Sequence, residues 1–262
     1  YNHCEINQVD MRRLCLNLAN KYLIFIPILL YIGERSYIAQ DEGYYALQAR
    51  WMIEKGNWIA PHWWNDVVFD RTIGVQWLIA LTQKFVGINI FSAHIPSIIS
   101  SIITLILTYE LSKELIGKKY PWLSPIILAG TYLWVNNAHL ATQDMPLLAS
   151  EMIGLWSLIT LEKNKAIKLL LIGISLGIAL MLKSIMLVVP IIAITPYCIV
   201  YRKYIFKEKY FWIGTTVGLI PFITWISIAF SNYGFEKVSL LVNKINHLST
   251  SAEFSKSYFY YI

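Results

Sequence analysis

Apolar residues fall in long blocks separated by short polar connections. A membrane-spanning helix needs about 20 mostly apolar residues. Seven stretches approach that length: 22–38, 91–111, 121–138, 146–161, 167–182, 185–201 and 211–230. The pattern predicts an all-α, polytopic transmembrane helical bundle with about seven spans. The first stretch does not read as a cleaved signal peptide, because Glu34 and Arg35 stand where small residues are required.

Short loops retain Lys and Arg on the cytoplasmic side of a membrane. Arg12, Arg13 and Lys21 precede the first stretch, Lys113, Lys118 and Lys119 follow the second, Lys163, Lys165 and Lys168 follow the fourth, and Arg202, Lys203, Lys207 and Lys209 follow the sixth. Every second connection is basic, so the expectation is a cytoplasmic amino terminus, with the loop 39–90, the turn at Asp144, the turn at Lys183 and the tail from Ser231 outside. The loop 39–90 is far longer than the other connections, and long ordered loops are usually functional. Within it, 43–55 and 74–86 have the composition of amphipathic helices lying at the membrane interface.

Composition strengthens the membrane reading. The chain of 262 residues is 56% hydrophobic and 15% charged, more apolar than a soluble core can use. Its 10 Trp and 17 Tyr suit an interface where ring and polar tip are both satisfied. The net charge of +6 is spread in clusters between apolar blocks, which does not describe a nucleic-acid-binding face. Cys4, Cys15 and Cys198 form no metal spacing and no expected disulfide framework. His62, His94, His139 and His247 lie on or near the outer side without tight ligand spacing, so no cofactor is certain, and a divalent metal stays open as an alternative that the spacing does not support. No Walker motif is present. The start at Tyr1 and the aromatic run 258–261 at the end lead to the expectation that the chain belongs to a longer protein.

The candidate chemistry is acidic and cationic, and the topology gathers it on one side. Asp41 and Glu42 follow the first span, where a carboxylate can meet a headgroup or cap the following helix. Asp144 opens the turn before a span, where it can line a polar cavity or, with Thr142, serve as a cap. Asp70 and Arg71 form an adjacent acid and base in the loop. Lys183 stands between two spans, placed either to hold a phosphate or to snorkel to ordinary lipid.

The order of these residues resembles the membrane-embedded glycosyltransferases of the protein O-mannosyltransferase superfamily, in particular its bacterial branch that includes the lipid A aminoarabinose transferase. The first-loop signature is carried by Asp41-Glu42, Tyr45-Ala46, Arg50-Trp51-Met52, Gly56-Asn57-Trp58 and Asp70-Arg71-Thr72, followed by Asp144 in ATQDMP and Lys183 in MLKSIM. The resemblance implies a GT-C-like fold, with 1–262 as a single catalytic domain truncated at its carboxy terminus and 39–90 as the catalytic loop. It implies Asp41 as catalytic base, with Glu42 beside it in the catalytic set and Asp144 as a support or acceptor-site residue. It makes Arg71 and Lys183 contacts of the donor phosphate, with Asp70, Tyr45 and Arg50 as supporting residues. The implied partners are a polyprenyl-phosphate-linked sugar donor, a lipid or protein acceptor and the surrounding membrane lipids, and the implied location is a bacterial inner membrane. Three departures stand out: Tyr44 replaces an Arg of the aminoarabinose transferases, Thr72-Ile73 replace Pro-Pro, and Ser184-Ile185 replace Gly-Pro. A transporter or flippase without chemistry, and a structural subunit derived from the enzyme, are the competing readings.

Overall fold

The computed structural model describes residues 33–34, 36–37 and 42–250, with the side chains of 185–186 and 242–250 excepted. Most of the predicted first span lies outside them, as does Asp41.

Helix α1 (Glu42–Lys55) buries one face, Tyr45, Ala46, Gln48, Ala49 and Met52, and is followed by Gly56, whose φ of 67° suits a residue without a Cβ. A short antiparallel hairpin, β1 (His62–Trp63) and β2 (Asp66–Val67), comes next. The sequence reading did not anticipate it, since two-residue strands leave no periodic signal. Helix α2 (Gly74–Val86) has the predicted bounds.

Helix α3 (Ile90–Leu115) starts on a reciprocal cap, Asn89 accepting from the Ser92 N–H while the Ser92 hydroxyl accepts from that of Asn89. The predicted third span is broken into α4 (Leu123–Gly130) and α5 (Tyr132–Ala138). Thr131 between them is extended, at φ −78° and ψ 121°, and its hydroxyl turns back onto the Ile127 carbonyl at 2.9 Å. Helices α6 (Asp144–Ile159) and α7 (Lys165–Lys183) follow. A 3-10 turn (Ser184–Leu187) replaces the start of the predicted sixth span and leads into α8 (Val188–Tyr201). The seventh does not stop near Phe230. It runs on as α9 (Lys209–Thr250), interrupted at Gly234, where φ is 76°.

Among the described residues, α3, α7 and the part of α9 from Lys209 to Leu241 are long and apolar enough to cross a membrane. Helices α7 and α9 run parallel in close contact, with Gly173 against Gly214 and Gly177 against Gly218. A Cβ at Gly177 would lie 2.0 Å from the Gly218 carbonyl carbon. Small residues four apart on both helices allow this backbone approach, which supplies packing energy where lipid offers no hydrophobic drive.

The first loop closes one end of this bundle. Trp225 of α9 donates to the Ile59 carbonyl at 2.8 Å, Asn57 donates to the Tyr233 hydroxyl at 2.7 Å, and Phe69 packs between Trp225 and Tyr233. The apolar core under the loop joins Tyr45 and Met52 of α1, Ile79 of α2, Ala93 of α3 and Met181 of α7.

Candidate active site at the first-loop end of the bundle

Glu42, the first residue of α1, is fully buried. One carboxylate oxygen meets His94 Nε2 of α3 at 3.0 Å and accepts from the Ala141 N–H at 2.8 Å. The other His94 nitrogen, Nδ1, faces the Ile90 carbonyl at 2.7 Å; a carbonyl only accepts, so Nδ1 carries a proton. Glu42 thus ties the loop helix to α3 and to the segment just before Asp144. Sequence reading weighed His94 only as a metal ligand and found no spacing for one. Among the described residues, no group of three His, Cys, Asp or Glu is placed to hold a metal ion.

Asp144 begins α6 without capping it. The cap position is Gln143, whose side chain makes no capping bond, and Thr142 donates to Asp144 Oδ2 at 3.2 Å. Asp144 Oδ1 accepts from Lys183 Nζ at 2.6 Å. Lys183, the last residue of α7, therefore turns toward a carboxylate, and both side chains remain partly open to solvent, 28% and 42% exposed.

Asp70 and Arg71, in the segment before α2, pack against α1. Tyr44 donates to Asp70 at 2.8 Å, and Arg71 Nε lies 3.9 Å from the other Asp70 oxygen. The Arg71 guanidinium donates to the Tyr45 hydroxyl and lies over both tyrosine rings, 5.4 Å from the centre of Tyr44 and 5.0 Å from that of Tyr45. Burial, then the Asp70 charge and hydrogen bond, push the Tyr44 phenol well above its usual pKa, so it stays a donor. Two residues past Arg71, Ile73 is fully buried and immediately precedes α2, whose Gly74 abuts α7 so closely that a Cβ would lie 2.6 Å from the Met181 carbonyl oxygen. The Arg71 segment and the Lys183 end of α7 are therefore direct neighbours.

Of the residues expected from sequence, Glu42, Tyr45, Asp70, Arg71, Asp144 and Lys183 come together at one end of the bundle. Arg50 does not; it pairs with Glu54 at 2.6 Å on the exposed face of α1. Asp41 is outside the described residues. Away from this end, an apolar cavity of about 140 Å³ between α6, α7 and α8 is lined by Leu155, Leu176, Ile191 and Ile194, with Glu151 among its walls.

Residues 70–228, more than half of the chain, match the family described as dolichyl-phosphate-mannose-protein mannosyltransferase. The chain belongs to this family. Among its relatives, an undecaprenyl phosphate-α-4-amino-4-deoxy-L-arabinose arabinosyl transferase of Erwinia tasmaniensis is 28% identical over 84% of this chain and 41% of its own length. A protein of the same description from Proteus mirabilis is 24% identical over 92% of this chain and 45% of its own. The crystal structure of ArnT from Cupriavidus metallidurans bound to undecaprenyl phosphate superposes with a TM-score of 0.78, at 14% identity, over 88% of this chain and 44% of that one. The chain therefore has the membrane GT-C fold and is an integral membrane protein, and it spans less than half the length of the relatives it matches.

Proposed function

We propose that this chain is the amino-terminal catalytic part of a glycosyltransferase that moves a sugar from a polyprenyl-phosphate donor to an acceptor on the extracytoplasmic face of a bacterial inner membrane. The observation that carries the reading is the meeting, at one end of the bundle, of two cations from distant segments, Arg71 on the Tyr44–Tyr45 ledge and Lys183 beside Asp144. Two partly exposed cations beside an apolar membrane-embedded body suit a phosphate whose tail stays in lipid. The names of the relatives, which print an undecaprenyl-phosphate sugar, support that donor class.

In the reaction, Asp41 takes the proton of the acceptor hydroxyl. The acceptor oxygen attacks the anomeric carbon from the side opposite the phosphate, and the bond from that carbon to the phosphate oxygen breaks. The product has inverted configuration, and polyprenyl phosphate leaves with one more negative charge than the donor carried. Arg71 and Lys183 stabilise that added charge, an effect worth about 10²- to 10³-fold per donor group, while general-base help supplies about 10²- to 10⁴-fold. Glu42 holds the loop helix that follows Asp41. The apolar cavity lined by Leu155 and Ile194 fits part of the lipid tail.

The test is transfer of radiolabelled sugar from polyprenyl phosphate by the full-length protein in nanodiscs, with glycolipid or protein acceptors. Wild type transfers and Asp41→Asn does not. Transfer at wild-type rate by Asp41→Asn, or none by the wild type with any acceptor, removes the reading.

A further inference from the structure

The hairpin carries aromatic rings that continue the ledge under Arg71. Trp63 leans on Tyr44 with ring centres 4.7 Å apart and planes tilted by 41°, and Tyr44 is a ring that the Arg71 guanidinium covers at 5.4 Å. Trp51 of α1 and Trp64 at the hairpin tip meet Trp63 nearly edge-on, at 70° and 75°, which fixes its orientation. Lys55 ties the tip to α1 by donating to the Trp64 carbonyl at 3.3 Å. That tie holds a backbone in the left-handed region, since Trp64 has a φ of 55°, which a bulky side chain rarely adopts. Packed against Tyr44, Trp51 and Trp64, Trp63 is still 38% exposed, and Asn65 and Asp66 beside it are open to solvent.

We infer that Trp63 is the platform for the donor sugar, stacking against the C–H face of a pyranose whose phosphate is held at Arg71. A sugar joined to phosphate through a single oxygen sits next to that phosphate, and Trp63 is only one aromatic ring removed from the Arg71 guanidinium. C–H groups that meet the electron-rich face of an indole gain a weak attraction, and both surfaces leave water. Asn65 and Asp66 offer donors and acceptors to the hydroxyls at the rim of the sugar. The Asp66 carboxylate also disfavours a second use of exposed tryptophans, anchoring in the bilayer, because it would face lipid phosphates of like charge. The inference rests on the reading of Arg71 as a contact of the donor phosphate, and it assigns the sugar to a side chain that the phosphate does not need.

The experiment compares binding of bare undecaprenyl phosphate with that of undecaprenyl-phosphate-linked glucose, mannose and 4-amino-4-deoxy-arabinose, each tritiated, by the full-length protein in nanodiscs with empty nanodiscs subtracted. Wild type should prefer at least one sugar-linked lipid to the bare one. Trp63→Ala should cut that preference roughly threefold to tenfold, the size of one lost stacking contact, while the Kd for bare undecaprenyl phosphate stays within about twofold. Trp63→Phe keeps a ring for the hairpin to pack on and offers a smaller face, so it should cut the preference less, and it keeps the test valid if Trp63→Ala fails to fold. An undiminished preference in the folded variants overturns the platform. So does a parallel loss for bare and sugar-linked lipid, which is the behaviour of a ring that only anchors the hairpin. Wild type that binds undecaprenyl phosphate but prefers none of the three sugar-linked lipids also overturns the platform and leaves the phosphate site standing, whereas wild type that binds neither discards the donor reading together with the platform.

Discussion

The two ends of the bundle both carry ion pairs, but they are built differently. At the end opposite the first loop, Arg202 donates to Glu162, Tyr204 adds a bond to the same carboxylate at 3.2 Å, Lys165 meets Glu208 at 2.5 Å and Lys163 meets Glu114. The Glu162 and Lys163 side chains are 72% and 64% exposed, and such pairs are screened by water and contribute little. At the first-loop end, Asp70 is 17% exposed, Lys183 is 28% exposed and Glu42 is buried altogether. Withdrawing those charges from water costs energy, and the compensating bonds fix them in position. One end is a set of loops pinned by salt bridges, and the other is a shaped polar surface over an apolar core.

Substitutions that neutralise one member at each end test the contrast, and the largest difference is expected in turnover. Lys183→Met should lower transfer about 10²- to 10³-fold, whereas Arg202→Met at the other end should leave it near wild type; comparable losses in the labelled-sugar assay would erase the distinction. Next comes stability. Glu42→Ala strands His94 and the Ala141 N–H and should cost about 3 kcal/mol in a denaturant titration of the reconstituted protein, while Glu162→Ala should give no resolvable change. The smallest effect concerns alkaline pH. The Tyr44 pKa is raised above its ordinary 10.0, so above about pH 10 the unfolded chain loses the phenolic proton first and stability falls as pH rises. Tyr44→Phe should flatten that part of the stability profile, and an unchanged slope would mean that burial and Asp70 do not hold the phenol protonated.

The membrane class, the loop helix α2 and the clustering of Glu42, Asp70, Arg71, Asp144 and Lys183 were legible in the sequence, because long apolar blocks and basic loops report topology directly. The helix breaks were not. Hydropathy does not distinguish a continuous span from one interrupted at Thr131, and it does not show that α9 continues past Ser231. Nor did any local pattern connect Glu42 with His94, which are 52 positions apart. The glycine pairs 173/177 and 214/218 were open to view, since a four-residue spacing of small residues on two apolar stretches is a known packing signal.

Those glycines reach further than the crossing they permit. Lys183 lies six residues beyond Gly177 on one unbroken helix, so the position of its ammonium is set by how deeply α7 nests against α9. A methyl group added at Gly177 would press the helices apart and shift that ammonium relative to Arg71, which is carried by a different segment. The spacing between these two cations from distant segments is thus gauged by glycine hydrogen atoms deep in an apolar helix pair.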